Sequence, residues 1–323
     1  MDDSPPDAAA LASRFGLGTP AGPMTPVARG VMGRVWSLET GRGRWAVKSL
    51  FDWATVDGVE TDVALQLAAA DAGVTLPRPV RSPAGGVVET VDGHRWRVHE
   101  WMDLAPPPVA PVDPATAGAV GDVLARIHGL GPLAAAAISP WFTRQPPAER
   151  WSALLARADA VSAAWAPALG AAMPAITDLG RIASHPPPAA AVLSHCDLVP
   201  DNVRPGPDGL VVLDWEHAGA LPPSWELGYV LAAWCLPPDG RVDVDGAHGV
   251  VSAYCRRSGT SPEVGLAMFA AAASAWLNFA SGLVARALRD GEGEQQAFVL
   301  RSLTATLANP PSRARLVRLL DAL

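Results

Sequence analysis

In the run Ser194-His195-Cys196-Asp197-Leu198-Val199-Pro200-Asp201-Asn202, Asp197 stands two residues after a histidine and Asn202 five residues further on. A carboxylate in such a loop can orient an attacking hydroxyl and accept its proton, and an amide oxygen one loop-turn later can serve as a neutral ligand to a hard cation. Beyond a Pro205-Gly206-Pro207-Asp208-Gly209 turn, Asp214 ends the apolar run Val211-Val212-Leu213, where a charged ligand for the same ion belongs. Magnesium takes few protein carboxylates and keeps phosphates and water, so one Asp and one Asn are enough. The His-x-Asp-x4-Asn spacing followed by an Asp after a hairpin is that of a kinase catalytic loop and metal strand, which implies phosphoryl transfer.

The cations point the same way. Of 25 Lys and Arg residues, Lys48 is the single lysine. A compact ammonium differs from a guanidinium where a point charge must sit beside phosphate oxygens. Lys48 closes Ala46-Val47-Lys48, a strand-like end, and the next helical stretch carries Glu60 and Asp62; Glu60 is preferred as the brace for Lys48 because its longer side chain spans the gap. Gly30-Val31-Met32-Gly33 just upstream is the candidate phosphate-covering loop, with Gly30 and Gly33 letting backbone amides approach an anion, although a plain hairpin turn accounts for the same residues. In His99-Glu100-Trp101-Met102-Asp103, the backbone of Glu100, Trp101 and Met102 offers hydrogen bonds to an adenine.

These residues need elements to hold them. Strands are expected at 27–29, 34–39 and 44–50, a helix at 57–72 with Val59, Val63 and Leu67 at helical spacing, and a hairpin of 86–91 with 94–101 around Asp92-Gly93. A short helix at 8–15 is also expected, with no role assigned. After Pro106-Pro107-Pro108 the chain turns helical, at 114–130, 148–165 and 173–182 and again from Trp225 onward, with the hairpin of 191–216 set into that half. The division expected is an N-terminal part over 1–103, with a hinge at about 99–103, and a helical part over 104–323 carrying the catalytic loop.

Composition limits the alternatives. A chain of 323 residues with 49% hydrophobic content has enough apolar material for two packed units. A net charge of -7 disfavours nucleic acid and suits a cationic small-molecule substrate. Asp201, Glu216, Asp239, Asp243 and Asp245 are the candidate substrate acids. Three cysteines without a CxxC pair suggest neither a disulfide framework nor a zinc site, and with no basic, apolar leader at the start a cytoplasmic location is expected. The uncharged stretch 265–285 is long enough to raise the question of a membrane span, but its Ala, Ser and Asn content and its helical spacing of large residues suit a buried helix. No nucleic-acid partner, no membrane and a monomer or weak dimer are expected.

The catalytic segment, the strand and turn Val212-Leu213-Asp214-Trp215-Glu216-His217-Ala218-Gly219, and the helix from Val120 to Leu130 together resemble the aminoglycoside phosphotransferase and choline-kinase-like family. The resemblance implies an α+β, protein-kinase-like two-lobed fold, with a small antiparallel-sheet N-lobe and a mainly helical C-lobe. It implies an O-phosphotransferase using Mg2+ and ATP or GTP, with Asp197 catalytic, Asn202 and Asp214 on the metal, and Lys48 on the phosphates. The acceptor implied is a hydroxyl of an amine-bearing natural product, an antibiotic of aminoglycoside or cyclic-peptide type whose modification confers resistance. A metabolic kinase of choline, an amino alcohol or a sugar, and a catalytically silent nucleotide-binding scaffold, are the alternatives. The chain departs from the family's common residues at Cys196, often Gly, at Val199, often His, and at Glu226, commonly an Asp that braces the catalytic loop.

Overall fold

The computed structural model describes residues 5–29, 34–50, 55–131, 137–188, 190–289 and 293–323. Their contacts divide the chain into two units, Met1–Pro107 with Asn202–Ala218, and Pro108–Asp201 with Gly219–Leu323.

Alternating apolar residues generate the sheet of the first unit. Helix α1 (Ala8–Phe15) is followed by β1 (Thr25–Arg29), β2 (Arg34–Thr40), β3 (Gly43–Ser49), helix α2 (Val56–Asp71), β4 (Pro79–Val80), β5 (Glu89–Val91) and β6 (His94–Glu100). The strands pair antiparallel in the order β1-β2-β3-β6-β4, with β5 on β6. Side chains alternate across a strand, so Trp36 and Leu38 of β2, Val47 of β3, and Trp96 and Val98 of β6 share one face. Leu11 and Phe15 of α1 close over that face. The helix expected at 8–15 thus has a role, as the lid of this core. Asp7 caps its start by accepting from Ala10 N, and Gly16 ends it at φ 66°, a left-handed cap that suits glycine.

Lys48, one residue on from Val47, falls on the opposite face, in register with Arg97 of β6. There Leu50 packs with Val59 and Val63 of α2, whose N-cap Thr55 accepts from Gly58 N.

The hairpin β8 (Val203–Gly206) with β9 (Gly209–Val212) sorts with this unit and not with the helical half where it was expected. Val212 N donates to Thr75 O at 2.9 Å and Ala105 N to Pro205 O at 2.9 Å, tying the hairpin to chain that precedes the helical segments.

The second unit holds helices α3 (Pro114–His128), α4 (Pro140–Thr143), α5 (Ala148–Ala160) and α6 (Ala166–Ala183), strand β7 (Val192–Ser194), strand β10 (Gly219–Leu221), and helices α7 (Pro223–Cys235), α8 (Val244–Ser258), α9 (Ala270–Ala287), α10 (Glu294–Ala308) and α11 (Arg313–Leu320). Strand β10 pairs antiparallel with β7. The expected helix at 148–165 is shorter, and the one at 173–182 begins earlier. Ser162 turns the chain at φ 50°, and a proline in the first turn of α6 starts a new helix that runs through Pro174. The stretch Leu266–Ala287 is long and apolar enough to cross a membrane by length and composition, yet most of it is buried in this unit. Its small residues let α9 pack against α4, α6, α7 and α10.

Candidate active site

The residues with chemistry fall into two groups, one in each unit. In the first unit, the β3–β6 register sets Lys48 opposite Arg97, and two cations side by side on a sheet face require acids between them. The acids come from the turn after β9. Lys48 Nζ donates to Asp214 Oδ1 at 2.6 Å and to Glu216 Oε1 at 2.5 Å, and Glu216 Oε2 lies 3.9 Å from an Arg97 nitrogen. Lys48, Arg97 and Glu216 are largely buried, whereas the Asp214 side chain is about half exposed, at 48%. Burial alone would lower the Lys48 pKa, but the carboxylates of Glu216 and Asp214 outweigh it and hold the ammonium charged. Burial likewise pushes the Glu216 carboxyl up, and Lys48 and Arg97 reverse this and bring it below the usual range.

The expected Lys48–Glu60 pair gives way to a different arrangement. Glu60 points to the guanidinium of Arg81, with Arg81 nitrogens 2.9 and 3.1 Å from its two oxygens, in a largely solvated setting. Glu216 takes the place foreseen for Glu60, and the rival candidate Asp62 sits in the same electrostatic cluster. Its pKa is pushed up to about 6, first by burial and then by the charge of Glu216, against the pull of Arg97. Arg97 and the pairing of Glu216 were not foreseen. The available signal was an arginine at an inward position of β6, on the same strand face as Lys48.

Asp214 adopts φ 54°, ψ 62°, a left-handed conformation that costs an L-residue about 1 kcal/mol or more and persists only where the surrounding structure holds it. Asn202 is buried at the end of a short 3-10 turn, and its carbonyl accepts Leu213 N at 2.8 Å, which fastens the approach to β8 beside Asp214. Asp and Asn together make a hard oxygen donor set, and among the described residues no cluster of three or more His, Cys, Asp or Glu could hold a metal by itself. That set fits magnesium carrying phosphate and water ligands and does not fit zinc.

The hinge expectation is corrected in part. Glu100 N donates to Arg78 O at 2.9 Å and Trp101 N to Arg44 O at 3.2 Å, because sheet hydrogen bonding continues through Trp101. Those two N–H groups are therefore engaged, and only their carbonyls and the half-buried Met102 beyond them remain as candidates. The Arg44 guanidinium stacks 3.7 Å above the Trp101 ring. Gly30 and Gly33 lie outside the described residues.

In the second unit, the segment from Ser194 to Asp201 leads away from β7. Cys196 is left-handed at φ 65°, the position where glycine is common in the family resembled, and this twist turns its N–H inward to Glu226 Oε1 at 2.6 Å. Glu226 is fully buried on α7, and its second oxygen lies 2.7 Å from His128 Nε2 of α3; His128 Nδ1 is 2.9 Å from the Tyr254 hydroxyl of α8. With Nε2 carrying the proton, the imidazole donates to Glu226 and accepts from Tyr254, so the chain of bonds is satisfied with a neutral ring. Burial raises the Glu226 pKa, but His128 and the Cys196 N–H more than cancel it and leave the carboxyl below its ordinary value. Asp197 N donates to His195 Nδ1 at 3.3 Å, and one oxygen of Asp197, Oδ1, accepts from the Tyr229 hydroxyl at 3.2 Å. Tyr229 was not foreseen, although it is a lone polar side chain three residues after Glu226 in an apolar helix.

Of the candidate substrate acids, Asp201 is exposed beside the catalytic segment and Asp245 is exposed in the first turn of α8. Asp239 is engaged by Arg241, through its N–H at 2.9 Å and its Nε at 2.6 Å, and Asp243 caps α8 by accepting Gly246 N at 2.9 Å. Glu216 belongs to the Lys48 cluster. Local structure thus accounts for Asp239, Asp243 and Glu216 without a substrate.

Residues 23–260 match the model of the phosphotransferase enzyme family. The chain belongs to that family. Among sequence relatives, the phosphotransferase is similar to homoserine kinase of Rhodopseudomonas palustris, 26% identical over 233 residues, or 71% of this chain and 69% of the relative. Among solved structures, it resembles spectinomycin phosphotransferase APH(9)-Ia in complex with ADP and spectinomycin, with a TM-score of 0.66 at 13% identity and 93% of each chain covered. It also resembles amicoumacin kinase hAmiN in complex with AMP-PNP, Ca2+ and Ami, with a TM-score of 0.62 at 14% identity and 93% of each chain covered. The protein-kinase-like fold is thereby established, and membership of the family makes the chain a phosphotransferase.

Proposed function

We propose that this phosphotransferase moves the γ-phosphoryl group of ATP to the hydroxyl of a small amine-bearing molecule, with a hydroxylated amino acid or amino alcohol as the first candidate acceptor. The observation that carries the reading is the Lys48 ammonium held between Asp214 and Glu216, with Asn202 fastened beside Asp214 by its own backbone. Lys48 would bind the phosphates, and Asp214 and Asn202 would hold Mg2+. When bound, that ion would neutralise charge on the phosphate oxygens. Asp197 would orient the acceptor hydroxyl and take its proton, with Glu226 holding the Cys196 backbone next to it. Transfer breaks the bond between the γ-phosphorus and its bridging oxygen, forms the new P–O bond to the acceptor, and leaves ADP.

The sequence relatives favour an amino-acid alcohol. The net charge of -7 favours any acceptor bearing an amine, which leaves an amine-bearing antibiotic as the second reading. A coupled assay of ADP release separates them, run over homoserine, choline, ethanolamine, aminoglycosides and cyclic-peptide antibiotics. The expected result is magnesium-dependent ADP release stimulated by an amine-bearing alcohol and reduced about a hundredfold or more by Asp197→Ala, the scale of a positioned base. Stimulation only by acceptors without an amine would remove the substrate class. Stimulation that survives Asp197→Ala would remove the mechanism.

A further inference from the structure

Three consecutive residues of the catalytic segment are held by one helix. Glu226 accepts the Cys196 N–H at 2.6 Å, Tyr229 donates to the Asp197 carboxylate at 3.2 Å, and Trp234 Nε1 donates to Leu198 O at 2.8 Å. Positions 226, 229 and 234 all belong to α7, with 226 and 229 one turn apart on the same face. The helix is itself immobilised. Val230 and Trp234 are fully buried, and a Cβ at Gly228 would overlap the Met268 carbonyl, so α7 and the chain before α9 are in backbone contact. Two of these grips act on the backbone of the segment. The third acts on the side chain that the proposed chemistry uses.

We propose that Tyr229 is a positioning residue for phosphoryl transfer, its phenol fixing Oδ1 of Asp197 and with it the orientation of the carboxylate toward the attacking hydroxyl. This rests on the reading of Asp197 as the base. The Tyr229 ring is wedged edge-on against buried Phe142, with centroids 6.1 Å apart and planes at 86°, and Phe142 shares a cluster with Cys196, Leu221 and Trp225. The hydroxyl is therefore aimed by packing and not by the bond it makes. Burial and then the charge of Asp197 raise the Tyr229 pKa well above its ordinary value, so the phenol stays a donor across the working range. A hydrogen bond to a base also weakens it, which opposes catalysis. In a loose phosphoryl-transfer transition state positioning counts for more than base strength, so the orienting effect wins.

The test uses water as acceptor, so that it does not depend on the identity of the substrate: steady-state hydrolysis of magnesium-ATP by the full chain. Tyr229→Phe, which keeps the ring, should lower kcat about tenfold, the scale of one hydrogen bond to a charged group, with KM for ATP within about twofold of wild type. In an Asp197→Asn background the same substitution should cost nothing further. An equal loss in both backgrounds would make Tyr229 merely structural and overturn the proposal. Wild-type kcat in Tyr229→Phe, alongside a collapse in Asp197→Ala, would overturn it and leave the base reading standing. Undiminished hydrolysis in Asp197→Ala would instead remove the base reading, and this proposal with it.

Discussion

Replacing Glu226 tests how the segment around Asp197 is held. In Glu226→Leu the side chain keeps its approximate volume but loses both acceptors, so the Cys196 N–H and the His128 Nε2–H are orphaned in a site with no access to water. Each orphaned donor costs about 1–3 kcal/mol. The loss of burial cost for the carboxylate offsets part of this, and because His128 can be neutral no bare charge is left behind, so the sum is about 3 kcal/mol, at the lower end for broken buried pairs. Glu226→Gln behaves differently. Its carbonyl can still accept from Cys196, and its amide can donate to His128 once the imidazole shifts its proton to Nδ1 and donates to Tyr254, so only charge assistance is lost, about 1–2 kcal/mol. Urea unfolding at pH 7 should rank wild type above Gln and Gln above Leu. Because the folded pKa of Glu226 is depressed, its contribution is fully present above the unfolded value of about 4.3 and disappears as pH falls through the folded one. The gap between wild type and Glu226→Gln should therefore close in acid. A Leu variant within 1 kcal/mol of wild type, or a Gln variant as damaged as Leu, would refute this account of the brace.

Three further outcomes are expected. Lys48→Arg should lower kcat with magnesium-ATP about tenfold or more despite retaining charge, since a planar fork cannot replace an ammonium held by two carboxylates at 2.6 and 2.5 Å; full activity would make the single lysine incidental. Glu216→Gln should cost about tenfold in the same assay, whereas Glu60→Gln, which loses a solvated pair with Arg81 worth at most about 1 kcal/mol, should leave kcat unchanged; the reverse ranking would return Glu60 to the role of brace. Thiol labelling of the native protein at pH 8 should be confined to Cys255, because burial raises Cys196 well above its usual range and Cys235 to about 12; rapid modification of Cys196 would show that the segment around Asp197 opens.

What could be read from the sequence was the chemistry that lies in contiguous runs. Asp197, Asn202 and Asp214 stand in fixed spacing around a turn, and Asp92-Gly93 announced its hairpin, Asp92 taking φ 53° as such a turn requires. The partners were less legible. Lys48 and Glu216 are 168 positions apart, and His128 and Glu226 are 98 apart. No local period links such residues, so proximity along the chain favoured Glu60, which the fold gives to Arg81. The helix expected at 173–182 begins earlier, at Ala166, for a different reason. Pro167 lies in the first turn, where proline is tolerated, and the buried face of Leu169, Ala172, Ile176 and Leu179 carries the helix through Pro174.

Helix α7 shows where a physical argument could have gone further than a motif. It is buried on most sides, so amphipathic patterning has nothing to mark, and its apolar residues look like ordinary core. Burial, however, makes its polar residues informative. A carboxylate in a helix without a solvent face must be paired, and a phenol one turn away must also find a partner for its hydroxyl. The partners available to Glu226 and Tyr229 are the donors and acceptors of the segment that leaves β7, where a left-handed Cys196 directs its N–H to Glu226 and Asp197 meets the Tyr229 hydroxyl. In this chain the apolar helix α7 is therefore the template that sets the geometry of the segment around Asp197. Glu226 and Tyr229 have to change together with that segment if either is to change without loss.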